Sequence, residues 1–165
     1  MDAAPPIAVS RPRPIIGVLL LIGRSALGVI LIYAAYAKLH YAGSWHLRDY
    51  NFIFAFGIDS YQMLPLWAVQ WLALVLPWIE LALGLLLIAG IGLRWVGSIT
   101  SALLVVFMIA LSRAAILGLA INCGCFGEGS TNPAKELILD SALLLVALTV
   151  TVSAFRSHRA RRLSA

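Results

Sequence analysis

Polar and charged positions in this chain are gathered into short breaks between long apolar runs. Four runs stand out, at residues 15–37, 66–91, 95–119 and 134–154. Each reaches the roughly 20 mainly apolar residues that a helix needs to cross a hydrocarbon core. The pattern predicts an all-α polytopic membrane protein, a four-transmembrane-helix bundle over residues 15–155. A Pro- and Ala-rich N-terminal tail (1–14) precedes it and a basic tail (156–165) follows. The first run has Arg11 and Arg13 before it and Ala34-Ala35 near its end, which resembles a signal peptide. It exceeds the usual signal core of about 7–15 residues and carries Arg24, so it is expected to be retained. No separate soluble domain is expected.

The breaks are unequal. The second and third spans are joined tightly around Gly92-Leu93-Arg94, whereas the stretch from Leu39 to Leu64 is long and rich in Tyr, Trp and Phe. That stretch reads either as an interfacial aromatic belt or as a lid or short re-entrant helix over the loop between spans three and four.

Composition supports the membrane assignment. Apolar residues make up 62% of the 165-residue chain and charged residues 12%, against about 45–50% and 25% in soluble domains. The net charge of +5 comes largely from the tails, at Arg11, Arg13 and Arg156 to Arg162. No aromatic–basic interleaving accompanies them. Membrane lipid is therefore the expected partner, and nucleic acid is not. Lys and Arg bias between loops sets orientation. With both termini inside, the cytoplasmic face holds Arg11, Arg13, Arg94, Arg156, Arg159, Arg161 and Arg162, and the outer face only Lys38, Arg48 and Lys135. The expectation is N-in/C-in in the cell membrane, with the loop between spans three and four extracytoplasmic.

Away from the ends of the apolar runs, four charged residues interrupt them: Arg24, Glu80, Arg113 and Asp140. An Arg or Asp at the centre of a spanning helix costs at least ~2.5–3.5 kcal/mol on insertion scales. Counting the helical rise from the span ends puts Arg24 and Glu80 roughly 13 and 16 Å from one face, and Arg113 and Asp140 about 9 Å from the other. Matching depth and opposite sign predict the pairs Arg24–Glu80 and Arg113–Asp140. Such pairs either fix helix packing or support the chemistry of the adjoining loop, where Lys38 is another cation. Pro77 cannot donate to the carbonyl of Ala73 and is expected to kink the second span near Glu80.

That loop carries both cysteines of the chain, in Ile121-Asn122-Cys123-Gly124-Cys125-Phe126-Gly127. A thiol pair separated by one residue can close on itself, and Gly124 permits the backbone angles of so small a ring. Three readings stand: a redox-active dithiol, a permanent disulfide, and part of a metal site. A structural zinc site needs four ligands, and only His40 and His46 lie on the same predicted face. A staple across so short a loop gains little chain entropy. A nearby cation, Lys38 or Arg113, favours the reactive thiolate.

Taken together, these residues resemble the MauE group of the DoxX/MauE membrane proteins. The run from Cys123 to Gly127 after a third span carries the resemblance most specifically. Arg24 with Leu27-Gly28, Ala37-Lys38-Leu39, Tyr61 with Leu64-Pro65, Pro77 with Glu80-Leu81 and Gly84, and Asp140 fall in the family's order. Close relatives often have Arg-Gly where this chain has Leu117-Gly118, and Arg where it has Leu139. The resemblance implies a four-helix membrane protein tied to thiol redox or to maturation of a secreted enzyme. Cys123 and Cys125 would exchange electrons with a thioredoxin-like or secreted partner. Gly124, Lys38, Arg113, Asp140, Arg24 and Glu80 would support them. With no second dithiol in the chain, electrons would leave through a partner or a quinone. A non-catalytic assembly subunit with a structural disulfide is the alternative, and a small-molecule carrier a third reading.

Overall fold

The computed structural model describes residues 14–40, 54–118 and 133–163. They form four long helices: α1 (Pro14–His40), α2 (Leu66–Ala89), α3 (Leu93–Ile116) and α4 (Pro133–Leu163). Each contains 23 or 24 consecutive residues long and apolar enough to cross a membrane. A short helical segment, 54–59, precedes α2, and no strand occurs among the described residues. The predicted all-α, four-span architecture is what the chain forms.

Local chemistry sets the ends. Pro14 and Pro133 are the first residues of α1 and α4, and Pro65 caps α2 in an extended conformation. Proline suits these places because the first N–H groups of a helix have no intrahelical acceptor. At its other end α2 stops at Gly90, whose φ of 75° lets its N–H reach back to the carbonyls of Leu86 and Leu87. Gly92, with φ 59°, opens α3. Two left-handed glycines in three residues reverse the chain at little steric cost, giving the tight join that the sequence predicts. Pro77 sits buried inside α2, which runs unbroken past it.

Helix ends depart from the apolar runs by up to three residues, and at the C-terminal end of α4 by nine. α3 ends at Ile116, with Gly118 left-handed just beyond it at φ 62°. α4 continues to Leu163, through most of the predicted basic tail. Hydropathy falls after Ala154, but the Arg-, Ala- and Leu-containing sequence beyond it has good helix propensity and no Gly or Pro to stop it.

The helices pack as two antiparallel hairpins, α1 against α2 and α3 against α4, which meet through α1 with α4 and α2 with α3. Leu27, Leu31, Leu83, Leu87, Val96, Leu104 and Ala147 form the shared core. Within the first hairpin the backbones touch. A Cβ on Gly28 would lie 2.8 Å from the carbonyl oxygen of Gly84, and one on Gly84 would lie 2.7 Å from that of Gly28. Gly97 makes a comparable approach to Thr151 across the second hairpin. Small residues matter here because lipid is as apolar as the helix surface, so close van der Waals contact drives association. Large apolar side chains such as Trp67, Trp71, Leu85 and Trp95 remain exposed on the outside, as a lipid-facing surface requires.

Close packing at Gly84 is directly testable. Gly84→Val should lower stability in detergent by about 1–3 kcal/mol, the usual range for overpacking. Gly17→Val, with nothing within 4 Å of its added carbon, should leave the thermal midpoint nearly unchanged.

Candidate functional site

All four helices bring polar or aromatic groups to one place. At its centre is Lys38, near the C-terminal end of α1 and only 2% exposed. Its ammonium donates to both carboxylate oxygens of Glu80 on α2, at 2.9 Å to Oε1 and 2.8 Å to Oε2. Glu80 is fully buried. The Phe54 ring of the short helical segment and the Phe107 ring of α3 lie 5.7 and 5.9 Å from the same ammonium. These distances fall within cation–π range. From α4, Asp140 lies within electrostatic reach of both Lys38 and Glu136, which is one turn earlier on the same helix.

Glu136 and Asp140 are themselves buried, at 7% and 5% exposure. Asp140 therefore has a second carboxyl one turn away and only a share of an ammonium that Glu80 already binds. Among the described residues, the Oδ2 atom of Asp140 has no hydrogen-bond partner. A buried acceptor left without a partner is costly, so such an atom is available to a hydrogen-bond donor or a proton. Among the described residues, no group of three His, Cys, Asp or Glu side chains is arranged to hold a metal ion.

The predicted pair Arg24–Glu80 is replaced by Lys38–Glu80. Arg24 instead reaches the end of α2, where its Nη2 donates to the carbonyl of Ile88 at 3.4 Å and its guanidinium packs against Gly90. That placement suits a cation beside the negative end of a helix dipole. Depth counted from the helix ends does not match partners here because the ends of α1 and α2 are not flush. α1 begins ten residues before Arg24, so it overhangs the end of α2 by roughly 15 Å. Helical side chains lean toward their own N-terminus, which carries the long Lys38 side chain inward from the helix end to Glu80.

The predicted pair Arg113–Asp140 does not form either. Asp140 is buried in the bundle, whereas Arg113 is exposed. Leu111 and Ala114 mark the buried face of α3, and Arg113 lies off it. Depth matched, but rotation about the helix did not. Arg113 instead lines a lateral groove. Cys123, Gly124 and Cys125 lie outside the described residues.

Sequence reasoning missed Glu136, Phe107 and the true partner of Glu80. The first had a readable signal. Glu136 and Asp140 are four apart, hence on one face of a helix, and both stand close to the start of an apolar span.

A protein-family model described as methylamine utilisation protein MauE matches residues 16–153. The chain is 29% identical over 131 residues to the methylamine utilization protein MauE of Paracoccus denitrificans, a match covering 79% of this chain and 66% of that one. It is 31% identical over 83 residues to the protein of the same name from Methylorubrum extorquens, covering 50% of this chain and 45% of that one. The chain thus spans less than two thirds of the length of these curated relatives. No solved structure matches it.

The ion pair predicts a specific non-additivity. Lys38→Met or Glu80→Met alone should cost about 3–5 kcal/mol by stranding a buried charge, while the double replacement should recover most of the loss. Arg24→Met combined with Glu80→Met should show no such recovery. Thermal or denaturant unfolding of the purified variants measures both.

Proposed function

The chain belongs to the MauE family, and from that premise we propose that it is a membrane thiol–disulfide redox protein or an accessory subunit of one. The observation that carries the proposal is the buried Lys38–Glu80–Asp140 cluster at one end of the bundle. The segment holding Cys123 and Cys125 joins α3 to α4 at this same end: the described chain leaves at Gly118 and resumes at Pro133. An expensive set of buried charges beside a segment that holds both thiols of the chain is what proton-coupled thiol chemistry needs.

In the proposed reaction, one cysteine thiolate attacks a partner's disulfide and forms a mixed disulfide. The second cysteine then displaces the partner as a dithiol, leaving the Cys123–Cys125 disulfide. Two electrons and, overall, two protons pass to the partner, and the reverse sequence oxidises it. The unpartnered oxygen of Asp140 is the candidate proton acceptor. Lys38 is held by Glu80, so its part is to fix the cluster and its field, and Arg24 and Gly124 serve packing and ring closure.

The partner is a thioredoxin-like or secreted protein on the extracytoplasmic side, with the chain oriented N-in/C-in. The names of the two relatives make maturation of an enzyme used in methylamine utilisation the natural setting. The wider grouping with DoxX proteins rests on the order of the sequence motifs. The alternative, a non-catalytic assembly subunit whose disulfide staples the loop, makes the opposite prediction for the first test below.

Equilibrated in glutathione or dithiothreitol buffers and then alkylated, the protein should pass from no free thiols to two as the poise becomes reducing. Cys123→Ser or Cys125→Ser should abolish exchange while changing the unfolding free energy by no more than about 0.5 kcal/mol, the scale of a substitution that disturbs no packing. One of the two should accumulate the partner as a mixed disulfide. A pair that stays oxidised at the most reducing poise contradicts the redox reading.

Orientation has its own test. After reduction, a membrane-impermeant maleimide should label the cysteines in spheroplasts with an intact inner membrane. Labelling that requires lysis would place the loop inside.

A further inference from the structure

The lateral groove at Arg113 has a different chemistry from the buried cluster. It runs along the C-terminal half of α3, bordered by Met63 ahead of α2 and by Leu144 of α4, with a volume of about 730 Å³. Its walls are apolar side chains, including Met63, Ile109, Ile116 and Leu144, and its polar side chains are those of Ser112 and Arg113. Ile109 and Ile116 are well exposed, so the groove opens sideways, toward hydrocarbon in a membrane. Arg113 stands three residues before the end of α3, about 5 Å along the axis. Its stem leaves the helix with a lean toward the N-terminus, and over so short a distance a long flexible side chain turns back to bring the guanidinium to the headgroup level. Among the described residues no hydrogen bond or ion pair engages that guanidinium.

We infer that this groove binds one anionic phospholipid from the adjoining leaflet, its phosphate on Arg113 and an acyl chain along the apolar walls. Charge complementarity selects the occupant. An unpartnered guanidinium pairs with phosphate oxygens bidentately, and a neutral hydrocarbon ligand would leave it unanswered. Ser112 is a second donor beside the phosphate position. The site is independent of the thiols, and it differs from the generic attraction of lipid to Arg156 and Arg159, which stand at the far end of α4. Bound there, the lipid lies along the last turns of α3.

Native mass spectrometry of the purified protein in micelles doped with phosphatidylglycerol or phosphatidylcholine tests this. Wild type should retain one phosphatidylglycerol at a concentration roughly tenfold below that needed for phosphatidylcholine, as one charge-assisted contact warrants. Arg113→Gln should abolish the preference and Arg113→Lys should keep part of it. Ile109→Trp, which fills the groove without touching charge, should reduce retention of both lipids. Far-UV circular dichroism verifies that each variant is folded. Three results would overturn the inference: equal retention of the two lipids by wild type, a preference that survives Arg113→Gln and so belongs to the tail arginines, or displacement of phosphatidylglycerol by a lower concentration of a short-chain quinone.

Discussion

A lysine ammonium and a glutamate carboxylate, both removed from water inside a membrane-spanning bundle, set the terms for the rest of this structure. Each alone would be expensive in hydrocarbon. Together at 2.8 Å they hold α1 and α2 at one relative height, because sliding either helix by a turn would strand both charges. The same height brings Gly28 against Gly84 and lets the two backbones touch. It also places Arg24 beside the terminal carbonyls of α2. A buried ion pair adds little net stability over an apolar pair of the same volume. What it adds here is register.

With that register fixed, the second hairpin completes the site. Phe107 from α3 faces the ammonium, and α4 contributes Asp140 and Glu136. The excess of acid over base distinguishes this cluster from simple structural glue. A pair meant only to align helices would be satisfied by Lys38 and Glu80. Asp140 is buried with an oxygen that no described residue partners, and in the proposed function that oxygen takes up the proton released when a thiol reacts. That is the link the proposed function draws between the bundle and its Cys-Gly-Cys segment.

The sequence made the architecture legible because the bilayer allows so few solutions. Runs of about 20 apolar residues separated by Gly92 and by Pro-headed starts leave four helices as the one arrangement that satisfies the backbone. It also made legible which residues would be unusual: Glu80 and Asp140 announce themselves as acids among leucines. Their partners were not legible, for two geometric reasons. Depth counted from helix ends fails when ends are staggered, as α1 and α2 are, and so Arg24 was assigned to Glu80. Depth also ignores rotation, so Arg113 was assigned to Asp140 although it lies off the buried face of α3. Lys38 was read as a cation at the helix end because composition does not say which way a four-carbon stem will lean.

The central claim is that Lys38, not Arg24, neutralises Glu80 inside the bundle. Solid-state NMR in lipid bilayers measures this without mutation, through the dipolar coupling between side-chain 15N of lysine or arginine and the 13C carboxyl of glutamate. The account predicts a strong coupling from the Lys38 Nζ to the Glu80 carboxyl, matching a nitrogen–oxygen distance of 2.8 Å, and none from the Arg24 guanidinium. A coupling from Arg24 to Glu80, with Lys38 showing none, would contradict it.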